Sequence, residues 1–127
     1  MKKTFFKNDC DTKPHEHDDI LYEGHDLEAL AFMPNYYSWI VETFRPRLRG
    51  HVMEIGTGIG TIADKILPDV EKLDLVEPSK NLSKFLSPSL KNSPKVTVFS
   101  EDLETRLPKI ADVKFDAIVM VNVLEHV

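Results

Sequence analysis

The chain predicts an α/β fold, a doubly wound parallel sheet, on three observations. Residues Val52 to Thr61 read Val-Met-Glu-Ile-Gly-Thr-Gly-Ile-Gly-Thr, an apolar stretch running into three alternate glycines and then a helix-compatible segment, Thr61 to Leu67. That is the strand, tight turn, helix layout of a nucleotide-binding crossover. Strand-like and helix-like stretches alternate beyond it, as a parallel sheet with right-handed crossovers requires. Ala117 to Val121 are consecutive apolar residues, the pattern of a central strand buried on both faces.

Four strands follow from pattern: His51 to Ile55, Lys72 to Glu77, Val96 to Phe99, and Phe115 to Val121. Ahead of them, Asn35 to Phe44 places Tyr36, Tyr37, Ile40, Val41 and Phe44 on one helical face between Pro34 and Pro46. Ile59 to Leu67 repeats the one-face spacing at Ile59, Ile62, Ala63, Ile66 and Leu67, and Pro68 is expected to stop it. Ser79 is a suitable N-cap for a helix through Phe85 and Leu86 that ends before Pro88. Pro108 marks the loop after a short third connection.

The glycine turn is a candidate cofactor cradle. Glycine accepts positive φ and lacks the Cβ that would hold a ligand away, and the N–H groups opening the next helix favour an anionic group. Gly56, Gly58 and Gly60 form Gly-x-Gly-x-Gly, whereas a dinucleotide fingerprint needs Gly-x-Gly-x-x-Gly and a P-loop needs Gly-Lys-Ser/Thr. Glu54, two residues before the first glycine, would repel a pyrophosphate and suit a cation. About 20 residues beyond the turn, Glu77 ends the second strand at the spacing where such folds set a carboxylate against ribose hydroxyls; a solvated strand end is the plain alternative.

The run Glu54-Ile55-Gly56-Thr57-Gly58-Ile59-Gly60 resembles the first motif of class I S-adenosylmethionine-dependent methyltransferases, Glu/Asp-x-Gly-x-Gly-x-Gly. The resemblance implies a Rossmann-like sheet and S-adenosyl-L-methionine as cofactor, with Glu54, Gly56, Thr57, Gly58 and Gly60 forming the turn beneath it. It implies that Glu77, followed by Pro78, holds the ribose. Asp102 would accept from the adenine amino group and Leu103 would touch the ring, although Asp102 is equally placed to cap a helix. Asn122 would approach the methionine end of the cofactor, largely through its backbone, and a lead-helix tyrosine, Tyr36 or Tyr37, would reach the methionine carboxylate. Leu124-Glu125-His126 is similar to the segment after the fourth strand in many small-molecule and lipid-quinone methyltransferases. His126 is there a candidate general base toward an acceptor hydroxyl, or a histidine with a structural hydrogen bond. The resemblance covers residues 36–127.

A complete core of that family carries strands beyond these four, so the sheet is expected to be truncated after its fourth strand, the chain being the cofactor-binding half of a larger enzyme. Residues 1–34 form a charged N-terminal arm and lead segment, and residues 35–127 the incomplete core. An uncovered edge at Ala117 to Val121 favours self-association, and the chain alone is expected not to turn over.

Composition narrows the rest. A formal charge of -5 opposes a general nucleic-acid surface. No run approaches the ~20 apolar residues of a membrane span. Cys10, His15, Glu16 and His17 lack the spacing of a metal site, so no metal is expected. The single cysteine excludes an internal disulfide and fits a cytoplasmic location. The expected reaction is methyl transfer to a small-molecule or lipid-like acceptor. An NAD(P)-dependent reductase and a non-catalytic cofactor-binding module are the alternatives.

Overall fold

A computed structural model describes residues 34–123. The arm, the Cys10 to His17 cluster, Glu125 and His126 lie outside the described residues. Helix α1 (Pro34–Phe44) leads into β1 (His51–Ile55), α2 (Thr61–Ile66), β2 (Lys72–Val76), α3 (Pro88–Asn92), β3 (Val96–Phe99), α4 (Leu103–Arg106) and β4 (Ala117–Met120), with short 3-10 turns between. The strands form one parallel sheet in the order β3-β2-β1-β4. This is the Rossmann-like α/β arrangement expected, with the change of winding direction beside β1.

Period-two alternation sends successive β1 side chains into two different layers. Val52 joins Leu73, Leu75 and Val119 against α1, α2 and α3, which contribute Tyr37, Val41, Ile62, Ala63, Ile66 and Leu90. Met53 and Ile55 join Val76 and Ile110 on the opposite face, with Phe99, Leu103, Phe115 and Met120 packed around them. β1 and β2 are thus covered on both faces, which is why every residue after the first is buried in each strand, Glu54 and Asp74 included.

β1 and β3 have the expected bounds, while β2 stops at Val76 and β4 runs only from Ala117 to Met120. β4 is not buried on both faces as its composition suggested. Among the described residues it pairs with β1 alone, and Ile118 is left 55% exposed. Between its outer side and α1 runs a groove of about 530 Å³ that includes Trp39, Ile40, Phe44 and Ile118.

Two expected helices are redrawn. Gly60, in a left-handed conformation, is the N-cap of α2, which therefore starts at Thr61 rather than Ile59; Pro68 sits within the 3-10 turn that continues it. Lys80–Phe85 is a 3-10 segment whose N-cap, Ser79, makes no side-chain cap. Pro88 does not end a helix but begins one: Ser87 Oγ accepts from Leu90 N–H, and proline occupies the first turn of α3, where its missing N–H costs nothing.

At the amino end of the sheet, Gly50 has φ +59, and its carbonyl accepts from the N–H groups of Glu71 (2.8 Å) and Lys72 (3.1 Å). His51 N–H donates to Asp116 Oδ2 (2.8 Å), which ties the start of β1 to the residue before β4. A Cβ on Gly50 would stand 2.1 Å from that oxygen. Gly50→Ala should therefore destabilise the fold by at least about 1–2 kcal/mol, the cost of a left-handed non-glycine residue, with displacement of Asp116 adding to it. Urea unfolding followed by circular dichroism measures the loss; an unchanged midpoint would mean the turn re-forms without strain.

Candidate functional site

Because all four strands run the same way, their carboxyl ends share one rim of the sheet. That rim gathers Glu54, the glycine turn, Glu77, the Glu101-Asp102 pair and Asn122, all predicted from sequence except the use of Glu101. His126 is outside the described residues, as is any contact it makes.

The turn is anchored to β2 by Gly56 N–H, which donates to Val76 O (2.8 Å), with Thr57 N–H reaching the same oxygen at 3.3 Å. Gly58 adopts φ +58, a conformation L side chains rarely take. Gly56 and Gly60 are also required by packing. A Cβ on Gly56 would come within 2.3 Å of the Val123 side chain, and one on Gly60 within 2.7 Å of Leu86 and Leu90. The loop after β4 and helix α3 thus press directly on the turn.

Glu77 holds the turn from the other side. Its Oε2 accepts from Gly58 N–H (2.8 Å) and its Oε1 from Ser79 N–H (2.9 Å), with Pro78 between Glu77 and Ser79 in the chain. This structural duty was not foreseen from spacing. A carboxylate offers about four acceptor sites, so each oxygen retains capacity for a hydroxyl.

Glu54 is 2% exposed, and its Oε2 has no hydrogen-bond partner among the described residues. Burial is the main force holding its carboxyl well above the usual carboxylate range, with the negative charges of Glu77 and Asp64 adding to it. The hydroxyl of Thr57 is likewise buried without a partner among the described residues. Buried polar atoms are nearly always satisfied; among the described residues Asp74 Oδ1 and Arg106 Nε share this lack of a partner, and Glu54 and Thr57 are the two that flank the glycine turn.

After β3, Asp102 caps α4 by accepting from Thr105 N–H (2.7 Å), so the capping role is realised. Leu103 packs on the second core layer. Glu101 is gripped by Lys109 (2.6 Å) and Arg106 (3.1 Å); the hydrogen bond from Lys109 chiefly, then that from Arg106 and the two positive charges, hold its carboxyl below the usual range against a smaller opposing effect of burial. The Arg106 guanidinium stacks 3.4 Å over the Phe99 ring, so the segment after β3 is braced. Sequence spacing gave no sign of this, since Glu101 and Arg106 are not at helical neighbour positions.

At the end of β4, Asn122 has φ +55, a region in which asparagine is enriched among non-glycine residues. Its Nδ2 donates to Tyr36 Oη (3.4 Å), bringing the lead helix to the rim. Tyr37 is 6% exposed within the core, so Tyr36 is the lead-helix tyrosine at the site. Among the described residues no helix is long and apolar enough to cross a membrane, and no group of three or more His, Cys, Asp or Glu side chains could hold a metal ion.

The family described as Methyltransferase domain matches residues 53–127, which hold the turn and every rim residue above. The chain belongs to the methyltransferase family. Its likeness to class I S-adenosylmethionine-dependent methyltransferases is thereby borne out. The chain is 25% identical over 114 residues to bassianolide nonribosomal cyclodepsipeptide synthetase of Beauveria bassiana, and equally to the same protein of strain ARSEF 2860. The alignments cover 84% of the chain and 4% of each synthetase, so it spans a small fraction of those relatives. A solved structure from Anaeromyxobacter dehalogenans, described as a candidate type II methyltransferase, superposes with a TM-score of 0.50 at 14% identity, covering 73% of this chain and 36% of that one. That likeness shows the shared fold.

Proposed function

We propose that this chain is the cofactor-binding half of an S-adenosylmethionine-dependent methyltransferase whose acceptor is a small or lipid-like molecule. The observation that carries the proposal is Glu54, a buried carboxylate with an unpartnered oxygen beside a glycine turn. A sulfonium or ammonium is the kind of group that would stabilise its ionised form, whereas a pyrophosphate would oppose that ionisation. This favours S-adenosylmethionine over NAD(P), and so a methyltransferase over the reductase.

In this arrangement Gly56, Thr57, Gly58 and Gly60 pass beneath the cofactor, with Gly58 giving the closest backbone approach. Glu77 accepts from the ribose hydroxyls through its remaining lone pairs. Asp102 and Leu103 border the adenine while Asp102 also caps α4. Asn122, steadied by Tyr36, lies toward the methionine end. His126 remains the candidate base for an acceptor hydroxyl.

When bound, the cofactor supplies a methyl group already activated on sulfur for direct displacement by an O, N or C nucleophile. The residues of this chain then have to fix its orientation and surround it with suitable charge. The acidic composition opposes a nucleic-acid acceptor, and the single cysteine supports a cytoplasmic setting. The groove along β4 is available for self-association or for further strands of a larger enzyme.

Calorimetric titration with S-adenosylmethionine, S-adenosylhomocysteine and NAD should show saturable binding of the first two and none of the third. Saturable NAD binding without binding of the sulfonium compound would reverse the assignment. Binding by a chain that transfers no methyl group to any acceptor, even within its full-length protein, would favour the non-catalytic module.

A further inference from the structure

We propose that Glu54 carries a proton in the free protein and gives it up when the sulfonium of S-adenosylmethionine arrives, so that cofactor binding releases one proton to solvent. This rests on the cofactor assignment above and adds a pH dependence to it.

The surroundings of Glu54 leave an ionised carboxylate without support. Its side chain is almost wholly enclosed, and Oε2 has no donor among the described residues. Among the described residues the charges bearing on it are Glu77 beyond β2 and Asp64 in α2, and both are negative. Lys65 of α2 donates instead to Ser38 of α1. On the same sheet face α1 adds the phenols of Tyr36 and Tyr37, and burial together with Tyr36 pushes the Tyr37 hydroxyl further up. β4 brings only Ala117 to Met120, all apolar. A buried acid surrounded in this way is neutral over a wide pH range.

A fixed positive charge reverses the preference. As the sulfonium enters, the carboxyl O–H bond breaks, its electron pair stays on the carboxylate, and the proton passes to buffer. Below the titration of Glu54 in the free protein, affinity should therefore rise by about a decade per pH unit, levelling off above it. A second consequence concerns the free protein. A carboxyl raised by folding contributes stability that is complete below its unfolded titration and is lost as pH rises through the folded one. Glu54→Gln, close in shape to the neutral acid, should fold and lack that loss.

Isothermal titration of the full chain from about pH 5 to about pH 9, in buffers of differing ionisation enthalpy, counts the protons. S-adenosylmethionine should release close to one proton at the acid end and progressively fewer toward the alkaline end. Methylthioadenosine, which carries neither sulfonium nor ammonium, should release none. Glu54→Gln should bind S-adenosylmethionine more weakly with no release. Carbon-13 NMR of the glutamate carboxyls in the free protein should show one signal, missing in Glu54→Gln, that titrates above the others. Binding without proton release, equal release by the variant, or ordinary titration of Glu54 would overturn the linkage while leaving the cofactor assignment intact. Absence of S-adenosylmethionine binding at every pH would overturn both.

Discussion

Glu77→Ala should weaken S-adenosylmethionine binding by at least about tenfold and loosen the glycine turn at the same time. The substitution removes the acceptor for Gly58 N–H and for Ser79 N–H, and hydrogen bonds to a charged group contribute about 1.5–3 kcal/mol each. Losing one such contact to the ribose costs a decade or more in affinity, at about 1.4 kcal/mol per decade. The two duties of Glu77 separate with a cofactor analogue lacking the ribose hydroxyls. If the carboxylate holds the ribose, the variant loses much more affinity for the natural cofactor than for the analogue. Equal losses would mean that Glu77 serves the turn alone.

Gly58→Val is expected to abolish measurable cofactor binding while the sheet persists. Gly58 has φ +58, where an L residue costs about 1–2 kcal/mol and a β-branched one is strongly disfavoured. Its N–H would be drawn away from Glu77, and the branched side chain would lie on the surface proposed to meet the cofactor. Circular dichroism should report a folded protein and calorimetry no binding. An affinity equal to the parent in a folded variant would show that the glycines serve only the turn.

What was legible in the sequence is what depends on near neighbours. β1 and β3 were bounded correctly because a short apolar or β-branched run lies between clear breakers, and the first glycine fixes where β1 must end. Glu54, the turn and Glu77 were found because their spacing reflects one strand, one crossover and the next strand. Pro88 was misread because proline closes a helix arriving from upstream but suits the first turn of one beginning there. The exposure of Ile118 was missed because an apolar run records a residue's own character, not which element lies beside it. Least legible were contacts between distant residues, such as Asp116 with His51 N–H and Tyr36 with Asn122, which follow no period. Asp102 shows the remaining limit: the same residue type and position suit a helix cap and an adenine contact, and its spacing could not separate them.

The place of β1 between β2 and β4 also has a kinetic meaning. One edge of β1 meets a strand that follows after a short crossover, whereas its other edge is tied to a segment 65 residues further on, as the His51 to Asp116 bond records. Such distant closure slows folding. On a ribosome, β1, β2 and β3 are all available before β4 emerges, so the strand destined for the centre of the sheet spends that interval with a row of unpaired backbone groups. An unpaired row of this kind is a template for a foreign strand. The most vulnerable stage in making this protein is therefore the interval between the emergence of β1 and the emergence of β4, and a pause within that interval should cost more yield than one before it.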